Sequence, residues 1–236
     1  MVQTINIEDL TCDVVKNPQG NSICYLIYPQ IEGINNGVLE TIASTYNVSV
    51  AMIYVPGDEW NNYLTPWPEP GEAKNCEPFD GKGPLFLDIL NNKIIPGVEK
   101  IIGTDKETQR NLIGVSLSGL FTFWQWLQSD MFRSIACLSG SFWYAGFMEW
   151  FQSRNIPKKA GMAYFLLGEE EPHARIKAYR SVGENTESIV ARLKEADINV
   201  RFDWVHGNHF VDALPRLKKA LDALYLQNNV ASTEHQ

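Results

Sequence analysis

The sequence predicts an α/β fold: a doubly wound, mostly parallel sheet with helices on both faces. Two observations carry that expectation. Short runs of β-branched and aromatic residues alternate along the chain with longer segments of helical spacing. Residues Ile23 to Val55 also hold a strand, a helix and a second strand in about 35 residues, the size of one βαβ unit.

Taken in order, the first 16 residues read as edge strand and turn, and Asn17-Pro18-Gln19-Gly20-Asn21 is a strong turn signal. A buried strand is expected over Ile23 to Tyr28, bounded by that turn and by Pro29. From about Asn36 to Tyr46, Val38, Leu39, Ile42 and Ala43 fall at helical spacing; a second strand, Val48 to Val55, ends at Pro56-Gly57. Between Gly57 and Gly83 the composition shifts to Pro, Gly, Asn, Trp and acidic residues. So long a connection in a compact domain points to function, and Trp60, Tyr63 and Trp67 argue that it is ordered. Pro84 to about Ile102 reads as a helix bent or broken near Pro96. Strands come next at Leu112 to Val115, Ser134 to Leu138, Met162 to Leu167 and Asn199 to Trp204. Helices fit at about Ser118 to Gln128, Tyr144 to Gln152, Asn185 to Ala196 and Val211 to Gln227. No repeat, low-complexity tract or linker interrupts this alternation, so one domain over 1–236 is expected.

Composition narrows the function classes. A hydrophobic content of 44% and a mean hydropathy of −0.20 describe a chain with ample core material. Lys plus Arg is 20 against 28 Asp plus Glu, a net charge of −8, so the basic footprint of a nucleic-acid binder is absent. No run of about 18 apolar residues occurs, and MVQTINIEDL has neither the basic nor the apolar region of an export signal. Cys12, Cys24, Cys76 and Cys137 show no CxxC spacing and read as reduced thiols of a cytoplasmic protein. Metal-ligand spacing, GxGxxG and P-loop patterns are absent, so no metal or cofactor is expected.

Gly114-Val115-Ser116-Leu117-Ser118-Gly119 lies between a short apolar strand and an apolar helix. A nucleophile elbow needs this layout, with small residues two before and two after the serine so that strand and helix pack closely. Gly114 and Ser118 meet that demand, although a serine capping a helix would give the same local pattern. Residues further along the chain favour catalysis. Gly168-Glu169-Glu170-Glu171 comes just past one strand, and His206-Gly207-Asn208-His209 just past the next. The order serine, acid, histidine, each on a loop after a strand, suits a serine whose proton is taken by an imidazole that a carboxylate orients. An oxyanion would need two backbone donors. Leu117 is placed for one, and the turn after the first buried strand for the other, where Pro29 has no N–H and Gln30 has one.

Gly114 to Trp124 resembles the elbow of the esterase family of α/β-hydrolases, which contains esterase D, enterochelin-type siderophore esterases, feruloyl esterases and the antigen 85 mycolyltransferases. Tyr63-Leu-Thr-Pro-Trp-Pro68, Cys137-Leu-Ser-Gly-Ser-Phe-Trp-Tyr144 and Gly207-Asn-His-Phe210 resemble a bacterial branch of it, in the right order over roughly residues 22 to 226. The resemblance implies an α/β-hydrolase fold without a large cap. It implies Ser116 as nucleophile, His209 as base and Glu171 as acid, with Glu170 a rival for that role. Ser118 stands where the family has a second glycine, and Tyr28-Pro29 where many members have Asp-Gly or His-Gly, so Gln30 is carried over least directly. The implied activity is hydrolysis of a small-molecule ester. Transfer of the acyl group to another acceptor, or a fold kept only for binding, are the alternatives. Trp67 and Trp143 are expected to line an apolar substrate pocket. His206 reads as a solvated loop residue, His173 as a loop residue near the acid, and Ser139 and Ser141 as local hydrogen-bonding partners in a turn. The many tryptophans leave room for an apolar interface between copies of the chain.

Overall fold

Alternate residues of each central strand point to opposite faces, and both faces are apolar, so both must be covered. The computed structural model describes residues 1–29, 33–71 and 76–226. It opens with β1 (Val2–Ile7) and β2 (Leu10–Val15), an antiparallel hairpin with Ile7 opposite Leu10. β3 (Ser22–Tyr28), α1 (Asn36–Tyr46) and β4 (Ser49–Tyr54) form the expected βαβ unit, and Asn35 caps α1 by accepting from the Val38 N–H. The long connection holds a single helical turn, α2 (Trp60–Tyr63), and one antiparallel bridge between Glu69 and Phe79.

The helix expected up to Ile102 comes in three parts: α3 (Gly83–Ile89), a π turn over Leu90–Ile94, and α4 (Ile95–Ile102). Pro96 explains the break. It has no N–H for the Asn92 carbonyl, and a turn widened by one residue lets its ring pass. β5 (Gln109–Val115), α5 (Leu117–Trp126), β6 (Ser134–Leu138), α6 (Phe147–Gln152), β7 (Met162–Gly168), α7 (Val182–Glu195), β8 (Asn199–Val205) and α8 (Ala213–Tyr225) complete the chain.

The sheet has eight strands in the order β1-β2-β4-β3-β5-β6-β7-β8, antiparallel at β1 and β2 and parallel from β4 to β8. This is the α/β-hydrolase fold. Ile23, Tyr25 and Ile27 of β3 face a core built with α3, α4, α5 and α7, while Cys24, Leu26 and Tyr28 face a second core with α1 and α8. All residues of α5 are buried, which matches a sequence apolar on every side. Each fully buried Phe or Leu contributes about 1.5–3 kcal/mol, so these two layers hold the sheet. Burial also pushes the Cys12 and Cys24 thiols up to about 12, which keeps them protonated and inert. Among the described residues no helix is long and apolar enough to cross a membrane.

The chain runs from β3 outward to β4, then crosses back over β3 to β5 and continues the other way. Connections therefore leave the carboxyl ends of β3 and β5 in opposite directions and open a crevice between them. Ser116 stands at that point.

Candidate active site

Ser116 links β5 to α5 with φ 57° and ψ −124°, a conformation that L residues rarely adopt and that costs on the order of 1–3 kcal/mol. The surrounding residues enforce it. A Cβ on Gly114 would run into the Ser118 carbonyl and the Thr122 hydroxyl, so only glycine lets strand and helix meet there. Ser118 is fully buried, and its hydroxyl accepts from the Val115 N–H (2.7 Å) and lies 2.6 Å from the Ile27 carbonyl. It ties the end of β5 to the end of β3, and it does so with a side chain small enough for the elbow. Ser116 itself donates its N–H to Leu138 (3.0 Å) and accepts from Leu120 and Ser141.

Two further loops converge on it. Gly168 ends β7, and a Cβ there would strike the Gly207 carbonyl in the loop after β8. That close approach brings Glu171, in a 3₁₀ turn over Glu171–His173, to His209. His209 Nε2 lies 3.1 Å from Ser116 Oγ, and His209 Nδ1 lies 2.9 Å from Glu171 Oε2. Of the three consecutive glutamates only Glu171 is buried; Glu169 and Glu170 are exposed. His206 is exposed, 4.0 Å from Glu169.

Glu171 Oε1 accepts three hydrogen bonds, from the Gly168 N–H (2.8 Å), the Ser139 hydroxyl (2.7 Å) and Arg216 Nη1 (3.0 Å). Burial pushes the carboxyl up, but the His209 hydrogen bond and charge, with those of Ser139 and Gly168, outweigh it and hold it below its ordinary value. A carboxylate facing Nδ1 keeps the proton on that nitrogen and leaves Nε2 free to accept from Ser116. Leu117, the first residue of α5, has one of the helix's N-terminal amides that lack an intrahelical acceptor. Gln30 lies outside the described residues.

Two cavities of about 760 and 810 Å³ meet at Ser116, and both are walled by Trp60 and Phe210. The first runs under the β1–β2 turn past Asp9, Thr11, Tyr54 and Pro29. The second is lined by Leu117, Trp143, Ile176 and Tyr179, with Trp143 packed 4.4 Å from the Tyr179 ring. Trp143 thus lines a cavity that reaches Ser116. Trp67 does not: its indole N–H bonds to Ala145, its ring packs on Phe147, Trp150 and Tyr144, and it faces neither cavity. Once the bridge of Glu69 to Phe79 turns the loop back, Trp67 is directed onto α6 instead.

The sequence pattern of the family described as "Putative esterase" matches residues 27–200. The chain belongs to this esterase family. Over 133 residues it is 29% identical to an uncharacterized protein, YbbA, of Bacillus subtilis, a match covering 56% of this chain and 53% of that one. Its fold is similar to an IroE-like serine hydrolase from Shewanella oneidensis, with TM-score 0.74 and 13% identity over 96% of this chain and 80% of the other. It is also similar to a siderophore hydrolase, EstB, from Aspergillus nidulans, with TM-score 0.70 and 16% identity over 95% and 94% of the two chains. At such identities the likeness is one of fold.

The sequence did not point to Arg216, to Ser139 as a partner of Glu171, or to the cleft walls Trp60 and Phe210. Arg216 was detectable. It sits on the stripe of α8 that carries Leu217, Ala220 and Leu221, and a charge inside an apolar stripe requires a buried partner. Ser139, at φ 49°, reaches from the β6 loop across to β7, a contact between segments that local sequence does not announce.

Proposed function

We propose that this chain is a single-domain, cytoplasmic carboxylesterase that cleaves a small-molecule ester through Ser116, His209 and Glu171. The supporting observation is the unbroken relay from Ser116 Oγ to His209 Nε2 and from His209 Nδ1 to Glu171, at 3.1 and 2.9 Å. In this reading His209 takes the Ser116 proton as Oγ attacks the ester carbonyl, and Glu171 stabilises the imidazolium. The oxyanion is met by the Leu117 N–H and by a donor after β3, for which Gln30 is the candidate. Collapse expels the alcohol, protonated by His209, and leaves an acyl group on Ser116. Water, deprotonated by His209, then attacks and releases the acid. Every group this reaction requires belongs to the chain or is water. The siderophore hydrolases of similar fold make siderophore esters the first natural substrates to try.

The test is turnover of p-nitrophenyl acetate by the parent and by Ser116→Ala. The variant is expected to lose at least about a thousandfold in kcat with the fold retained. A Ser116→Ala protein hydrolysing at the parental rate contradicts the reading.

A further inference from the structure

The two cavities differ in charge. Among the described residues, apart from His209 and Arg216 of the proposed relay, the one charged side chain on the wall of the first cavity is Asp9. Asp9 lies in the turn between β1 and β2, and its carboxylate accepts a hydrogen bond from the Tyr63 hydroxyl, at 3.1 and 3.3 Å to its two oxygens. Tyr63 is buried and stacked on Phe86, with ring centroids 5.6 Å apart and planes at 10°. Burial, then the hydrogen bond and charge of Asp9, push the Tyr63 phenol up, so it remains a donor and fixes the carboxylate's position. One helical turn earlier on α2, Trp60 walls the same cavity. Among the described residues no lysine or arginine is paired with Asp9. A carboxylate held by a tyrosine and without a cation among the described residues, in a cavity wall that also carries an indole, is an arrangement suited to a positively charged group.

We infer that Asp9, with Trp60 in the same cavity wall, is a specificity-determining residue that selects esters carrying a cationic group on one side of the scissile bond. The inference rests on the serine-esterase reading and names the substrate class of that same cleft. An ammonium in that cavity is attracted by the Asp9 carboxylate and shares the wall with the Trp60 indole, while an anionic arm is repelled. The protein's net charge of −8 favours the approach of such a substrate.

The experiment compares kcat/KM within isosteric pairs on one enzyme preparation, so that the ratio is independent of the active fraction. Charge on the alcohol side is read from butyrylcholine against 3,3-dimethylbutyl butyrate. Charge on the acyl side is read from the p-nitrophenyl esters of 4-(trimethylammonio)butyrate and 5,5-dimethylhexanoate. In one of the two pairs the cation is expected to be preferred by roughly fivefold or more, and less so as salt is raised. Asp9→Asn, a residue that suits the turn, should bring that ratio close to one, and Tyr63→Phe should lower it in part. Hydrolysis that depends on Ser116 but shows no cation preference in either pair overturns the inference and leaves the esterase reading standing. So does a preference that survives Asp9→Asn. Loss of all Ser116-dependent hydrolysis would instead be a failure of the esterase reading.

Discussion

At the scale of single residues, the proposed chemistry rests on keeping one buried carboxylate ionised. Glu171 does this with four partners: Gly168, Ser139, Arg216 and His209. Its folded value lies below that of the unfolded chain, so between the two values the unfolded chain holds more protons and stability rises with pH. The stabilisation is complete above the ordinary glutamate range, about 4.3, and is lost as pH falls through the lower, folded value. Urea midpoints measured from pH 6 down should fall more steeply for the parent than for Glu171→Gln, which has no carboxyl to titrate there. Parallel curves would contradict the assignment. The proposed acid was only half legible in the sequence. Its place after a strand could be read, but which of three neighbouring glutamates turns inward depends on the 3₁₀ turn and on Ser139 and Arg216, which come from elsewhere in the chain.

At the scale of elements, the elbow depends on how closely β5 and α5 approach. Gly114→Ala would place a methyl against the Ser118 carbonyl, a backbone atom that cannot yield without moving α5. The expected cost is about 1–3 kcal/mol of stability or more, together with loss of the Ser116 geometry. Gly57→Ala is the control, since a Cβ there meets nothing within 4 Å, and should stay within about 0.5 kcal/mol of the parent. Chemical denaturation of both variants decides the matter; equal midpoints would mean that the close approach is not needed. Elements were the most legible level, because apolar runs of strand length and helical spacing report burial directly. The misses have local causes. The π turn arises from the missing N–H of Pro96, and the first residues form β1 and β2, with β2 inside the sheet between β1 and β4. In the long connection the sequence announces aromatics but not the path that sends Trp60 to the cleft and Trp67 to α6.

At the scale of the molecule, the relay joins residues 93 positions apart, carried on the loops after β5, β7 and β8. No local segment could form it, so the site exists only when the parallel sheet is assembled and its crevice is open at the β3–β5 switch. The order of the three residues was legible because the topology fixes the order in which strand ends reach the crevice. The cleft's walls were not, because Trp60, Phe210 and Asp9 come from segments with no shared period. The central claim is that Ser116 is a nucleophile activated by His209. Intact-protein and peptide mass spectrometry after exposure to a fluorophosphonate tests it most directly. One phosphonyl adduct per chain, on the peptide containing Ser116, lost in Ser116→Ala and strongly slowed in His209→Ala, is the result expected; an unlabelled parent, or an adduct on any other residue, would contradict it.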